Sequence, residues 1–86
     1  MYSQRFGREI VLTEHARKRM AERDISPDTL MELVETGEVR HKDEARLWIA
    51  KSFPARQDNM LCVAAVAEKT LIVKTVMHHF AWEETP

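Results

Sequence analysis

The chain has 86 residues, of which 44% are hydrophobic and 31% are charged, and its formal net charge is −1 at pH 7. This length supports one domain over residues 1–86, with a core from about 9 to 80 and a frayed tail over 81–86. The sequence contains no apolar run of about 18 residues and no hydrophobic leader, so we expect a cytoplasmic protein without a membrane partner. The near-neutral charge argues against tight, sequence-independent binding of nucleic acid.

The first predicted elements are a short strand and a helix. Residues 9–12 are largely apolar and β-branched, which predicts a brief strand. Thr13 is a favourable N-cap residue, and residues 14–23 contain no glycine or proline, which predicts a first helix. This helix belongs to a net basic segment, residues 1–23, whereas residues 24–44 are net acidic. The helix therefore presents a local basic surface beside an acidic one.

A second helix is predicted after a short connection. Ser26 is a good N-cap residue and Pro27 suits the first helical position, so we place this helix over 27–36. Gly37 follows, and we expect it to end the helix in a conformation with positive φ. About three residues join the two helices, which therefore form a helical hairpin.

The second half of the chain is predicted to form a β-meander. Apolar residues alternate over 47–52, are nearly continuous over 60–67, and are accompanied by threonine over 71–77, which predicts three strands. Their short connections make them antiparallel. The order β-α-α-β-β-β predicts an α+β fold in which the N-terminal helical hairpin packs on a three- to four-stranded antiparallel sheet.

Three potentially cationic side chains lie along one edge of the first helix. His15, Arg19 and Arg23 are spaced by four residues, which aligns them along the helix with a drift of about 40° per step. A phosphate or carboxylate would relieve their mutual repulsion, and arginine binds such groups through paired hydrogen bonds. A histidine beside them could move a proton near neutral pH. The other interpretation is a solvated helix edge whose arginines pair with acids of the second helix.

The last strand contributes further candidate residues. Thr75 is in phase with the apolar residues of this strand, and if that face meets the helices it lies under the first helix. His78 and His79 close the strand and point to opposite faces if it continues regularly, so one of them could face a cleft as an acid or base. The lone Cys62 excludes an internal disulfide and is predicted to be a small buried residue. The spacing of His and Cys does not fit a metal site, so we expect no metal and no cofactor.

Two segments resemble a known family. Residues 13–26 read Thr-Glu-His-Ala-Arg-Lys-Arg-Met-Ala-Glu-Arg-Asp-Ile-Ser. They resemble the signature T-x-H-A-x-x-R-M-x-x-R-G-I-S, which opens the 4258-type domain-of-unknown-function family. Residues 72–76, Ile-Val-Lys-Thr-Val, resemble its last strand. The resemblance covers residues 10–77, and Asp24 stands where the signature commonly has glycine.

This family in turn resembles the RelE and BrnT toxins of bacterial toxin–antitoxin systems, which cut RNA with a helical hairpin on a sheet. The resemblance implies a metal-independent endoribonuclease with an RNA substrate and an antitoxin partner. The positions that match its functional residues are His15, Arg19, Arg23 and Thr75, and His78 resembles the histidine that some of these toxins carry near the C-terminal end.

A second hypothesis is a non-catalytic module. In this interpretation the His-Arg-Arg edge of the first helix binds a carboxylate of a protein partner or another anion. The acidic second helix and the exposed edges of the sheet suit protein binding or homodimerisation. The sequence leaves both hypotheses open.

Overall fold

A computed structural model describes residues 1–82 of the chain. It is an α+β structure with two helices on a sheet, as the sequence predicts, and the sheet is curled. The elements are, in chain order, β1 (Tyr2–Ser3), β2 (Arg8–Leu12), α1 (Glu14–Glu22), α2 (Pro27–Thr36), β3 (Glu38–His41), β4 (Arg46–Ser52), β5 (Met60–Ala67) and β6 (Leu71–Met77). The part of the predicted frayed tail over 83–86 lies outside the described residues.

The sheet is larger than predicted, and its topology differs. Among the described residues it has six strands in the order β1-β2-β6-β5-β4-β3, instead of three or four. Strand β2 pairs with β6 in parallel, whereas we expected an antiparallel sheet. Both helices and three strands separate β2 from β6, and a long connection of this kind permits parallel pairing. The missed strands β1 and β3 are two and four residues long, and neither has a clear apolar alternation.

The two helices cover one face of the sheet and leave the opposite face, here termed the open face, without a helical layer. Burial of each aliphatic side chain between the layers contributes roughly 1.5–3 kcal/mol to stability. The residues of this core are Ile10, Ala16, Met20, Ile25, Leu30, Leu33, Val34, Leu47, Ile49, Leu61, Val63, Ala65, Leu71, Val73 and Val76.

Helix α1 is attached to β6 at both of its ends. The Thr13 hydroxyl accepts a hydrogen bond from the amide of Ala16, which caps the helix, and donates one to the Lys74 carbonyl at 2.9 Å. At the other end, the Arg23 guanidinium donates a hydrogen bond to the Val76 carbonyl. These bonds fix the helix along the strand, so the residues that follow β6 lie beside the C-terminal end of α1.

A bulge changes the face on which the end of β6 presents its side chains. Val73 pairs with Ala65 and Thr75 pairs with Ala64, so Lys74 is an extra residue in β6. Because one residue is inserted, Thr75 joins the open face instead of lying under α1. The expectation that it continues the face of Val73 is therefore wrong, and strict alternation holds only before the bulge.

Glu35 of α2 holds the N-terminal segment. Its carboxylate accepts hydrogen bonds from the Ser3 hydroxyl at 2.6 Å and from the amides of Gln4 at 2.7 Å and Arg5 at 3.4 Å. Burial acts to raise the pKa of Glu35, but the bond from Ser3 and the two amide bonds outweigh it and lower the pKa. The charged form is therefore stabilised by the fold.

We expect Glu35→Gln to lower the free energy of unfolding by about 1–2 kcal/mol at pH 7, because charge-assisted bonds become neutral and one donor loses its acceptor. Urea denaturation followed by circular dichroism measures this. Glu32→Gln is the matched control, since Glu32 is exposed on the same helix. An equal loss in both variants would contradict the assigned role of Glu35.

Candidate functional site

An open cavity of about 640 Å³ lies where the C-terminal end of α1, the loop before β5 and the residues after β6 meet. Two of the residues proposed from the sequence, Arg23 and His78, line it together. The other lining residues are charged or polar, so the cavity offers several groups that could bind or move ions and protons. They are Glu22, Asp24, Arg56, Gln57, Asp58 and His79.

Arg56 organises one wall of the cavity. Its guanidinium donates to both carboxylate oxygens of Asp58, at 2.8 and 2.9 Å. It also donates to the main-chain carbonyls of Arg23 at 2.7 Å and Asp24 at 3.0 Å. These bonds join the loop before β5 to the end of α1. They also hold the pKa of Asp58 at about 2, because the bonded guanidinium stabilises the carboxylate.

His78 lies against the anchored carboxylate. Its Nδ1 atom is 3.3 Å from Oδ2 of Asp58, and about a third of the His78 side chain is exposed. An ionised carboxylate accepts hydrogen bonds but donates none, so it favours the tautomer with the proton on Nδ1. The Nε2 atom is then free to accept a proton from a molecule in the cavity. This is the arrangement by which a carboxylate orients a histidine base.

His79 lies in the same cavity as His78. The chain leaves β6 at Met77, and His79 has a φ of 50°, so the strand alternation does not extend to these two histidines. The amide of His79 donates to the Asp58 carbonyl at 3.1 Å, which fixes this turn. The two imidazole centroids are 4.7 Å apart. The prediction that His78 and His79 point to opposite faces required a regular strand, and the chain is not a regular strand at these residues.

The structure separates the other residues proposed from the sequence. His15 is exposed near the N-terminal end of α1, and Arg19 makes an ion pair with Glu22 at 2.7 Å. Thr75 lies on the open face. Arg23 and His78 are thus the two that the fold brings to one cavity.

Sequence reasoning missed Arg56 and Asp58, and it allowed only one of His78 and His79 to face a cleft, whereas both line the cavity. Arg56 and Asp58 lie in a polar turn without periodicity, and only the fold shows that this turn approaches the end of α1. The buried thiol of Cys62 is the expected small core residue, and burial raises its pKa to about 12.

The described residues contain neither a cluster of three His, Cys, Asp or Glu side chains placed to hold a metal ion nor a helix able to cross a membrane.

The pKa of Asp58 predicts an acid dependence of stability. A carboxyl whose pKa is lowered from 3.8 to about 2 by folding stabilises the fold above its ordinary pKa, and this contribution disappears as the pH falls through 2. We expect Asp58→Asn to lower the free energy of unfolding by about 1–2 kcal/mol at pH 7, with a smaller difference from the unmodified protein as the pH decreases from 4 to about 2. Urea unfolding at several pH values measures the difference. Glu44→Gln, at an exposed position, is the control. A difference in unfolding free energy between Asp58→Asn and the unmodified protein that does not change with pH would contradict the role of the carboxylate.

These features define a small α+β domain that carries an arginine-anchored Asp–His pair in an open cavity. The sequence matches a domain-of-unknown-function family, DUF4258, over residues 12–78, and the chain belongs to this family. No curated protein and no solved structure matches the chain.

Much of the signature at residues 13–26 has a structural task in this fold. Thr13 caps α1, Ala16 and Met20 are buried against the sheet, and Arg23 bonds to a carbonyl of β6. Asp24 has a φ of 52°, a left-handed conformation that glycine adopts most readily. Arg23 and Asp24 combine such a task with a place in the cavity.

Proposed function

We propose that the protein is a metal-independent endoribonuclease similar to the RelE and BrnT toxins of toxin–antitoxin systems. The observation that supports this most directly is the contact of His78 with the ionised carboxylate of Asp58 beside Arg23. A histidine held by a carboxylate is a general base, and an adjacent arginine stabilises negative charge that develops on a phosphate.

The proposed reaction uses the ribose 2′-hydroxyl as the nucleophile. His78 accepts the 2′-hydroxyl proton on Nε2 while the 2′-oxygen forms a bond to the adjacent phosphorus. The bond between phosphorus and the 5′-oxygen breaks, and His79 in its protonated form donates a proton to that oxygen. The products are a 2′,3′-cyclic phosphate and a 5′-hydroxyl, and a second histidine is available because both rings line one cavity.

Arg23 is the cation best placed to bind the phosphate. The carboxylates of Glu22 and Asp58 already pair with Arg19 and Arg56, whereas Arg23 has no carboxylate within ion-pair distance among residues 1–82. One of its nitrogens bonds to a main-chain carbonyl, which orients the guanidinium and leaves its other donors for phosphate oxygens. Arg56 is a positioning residue, because its donors are used by Asp58 and two carbonyls.

The direct test incubates the purified, folded chain with a single-stranded RNA in the presence of EDTA. We expect cleavage that leaves a 2′,3′-cyclic phosphate, and no cleavage at a position that carries a single 2′-deoxyribose. An intact RNA after incubation with folded protein would overturn the proposal. Expression of the chain without a partner is expected to arrest growth, as it does for a toxin that lacks its antitoxin.

One observation favours the second candidate, a protein-binding module that docks an antitoxin, another protein or a second copy. Three of the large hydrophobic side chains that remain exposed, Met1, Tyr2 and Val11, lie together on or beside β1 and β2. An apolar group at a sheet edge is a common site of protein docking. A homodimer that dissociates on Tyr2→Ser and Val11→Ser substitution, in a protein without ribonuclease activity, would favour this candidate.

A further inference from the structure

The open face of the sheet carries an aromatic ring and two lysines that line one depression. Trp48 of β4 is only partly buried, and Lys42 and Lys74 line the same small depression of about 160 Å³ beside it. The Nζ atom of Lys42 is 6.0 Å from the centroid of a Trp48 ring. The proposed reaction centre does not use any of these residues.

The two lysines differ from the neighbouring arginines in their partners. Arg40 pairs with Glu38 at 2.7 Å, and its guanidinium carbon lies 4.1 Å from the ring centroid of Trp82. Arg46 pairs with Asp43 at 2.7 Å. By contrast, neither Lys42 nor Lys74 makes an ion pair within residues 1–82. The depression is therefore flanked by two ammonium groups that have no carboxylate partner among the described residues.

The floor of the depression is suited to a flat ligand. Trp48 pairs across the strands with Ala64, and Ala64 pairs with Thr75, so small side chains lie beside the indole. The indole of Trp48 is only partly buried beside these small side chains, and the bulge in β6 places Lys74 at the rim of the depression. An aromatic platform with flanking cations is the arrangement that binds unpaired bases and their phosphates.

We propose that Trp48, Lys42 and Lys74 form a binding site for single-stranded RNA, with one base stacked on Trp48 and phosphates bound by the two lysines. The choice of RNA rests on the proposed function. Thr75 and Met77 lie on the same face of β6 and lead directly to His78, so a strand bound on the open face can reach the cavity at the end of β6. An acidic peptide would satisfy the lysines but would not use the indole.

The test measures binding without cleavage. A fluorescein-labelled decamer of 2′-O-methyl RNA cannot be cleaved by 2′-hydroxyl attack, so its fluorescence anisotropy reports binding to the unmodified protein. We expect the Lys42→Ala, Lys74→Ala double variant to bind this RNA at least tenfold more weakly than the unmodified protein. The slope of log affinity against log salt concentration is expected to be smaller by about 1.4 for this variant, because two phosphate contacts are lost. Trp48→Leu, which keeps the sheet face apolar but removes the ring, is expected to weaken binding about tenfold.

Lys18→Ala is the matched control, because Lys18 is an exposed lysine on α1, on the other side of the sheet. Unchanged affinity in the double lysine variant, equal binding of duplex RNA, or equal competition by polyglutamate would each overturn the inference. Cleavage of unmodified RNA is scored separately. RNA that binds here but is not cleaved supports this site and contradicts the proposed function. RNA cleavage that these variants do not affect supports the proposed function and contradicts this site.

Discussion

Replacement of His78 by alanine is expected to lower the rate of RNA cleavage by about 100- to 10,000-fold, the usual contribution of a positioned general base. The variant removes the imidazole that contacts Asp58, while Asp58 keeps both of its bonds to Arg56. The wall of the cavity therefore remains in place, and we expect the stability to change little. Single-turnover cleavage at saturating protein, with circular dichroism to verify the fold, measures the effect.

The pH profile separates a base from a structural residue. The mechanism uses His78 as a base and His79 as an acid, so we expect a bell-shaped dependence of the cleavage rate on pH, and His78→Ala is expected to remove the limb that requires the base. His15→Ala is the matched histidine variant, and we expect it to cleave at a rate close to that of the unmodified chain, since His15 is exposed outside the cavity. Full activity of His78→Ala, or a large loss in His15→Ala alone, would contradict the assignment.

The helices and the meander could be predicted because their signals are local. Ser26 and Pro27 begin α2 in the structure as they do in the sequence, and the helix covers the predicted residues. The three strands of the meander are also where alternation and continuous apolar runs place them. Local capping and periodicity decide such elements without reference to the rest of the chain.

The register of β6 and the composition of the cavity could not be predicted in this way. The bulge at Lys74 depends on the pairing of β6 with β5 and on the bonds from Thr13, both of which are long-range in sequence. Arg56 reaches the end of α1 across more than thirty residues of chain. The spacing of His15, Arg19 and Arg23 predicts a cationic edge on α1, but only the contact with β6 distinguishes Arg23 from the other two.

Gly37 shows a different limit of sequence reasoning. The prediction of a positive φ at this residue is wrong, because its φ is −74° and any residue can adopt that conformation. What requires glycine is the space around it. A Cβ atom at Gly37 would lie 2.6 Å from the Leu33 carbonyl oxygen, 2.8 Å from Cγ2 of Ile49 and 2.9 Å from the Ala50 carbonyl oxygen. Helix α2 and strand β4 therefore approach each other at this point as only glycine permits.

We expect Gly37→Ala to lower the free energy of unfolding by about 3 kcal/mol, because two of the three clashing atoms belong to the main chain and cannot move as a side chain does. Gly7→Ala provides the contrast. Gly7 has a φ of +62°, and its nearest neighbour to an added Cβ is the Tyr2 hydroxyl at 3.9 Å, so the cost there is conformational, about 1 kcal/mol. Urea unfolding of the two variants compares them directly. A loss in Gly37→Ala no larger than that in Gly7→Ala would contradict this account, because it would show that the contact of α2 with β4 accommodates a methyl group.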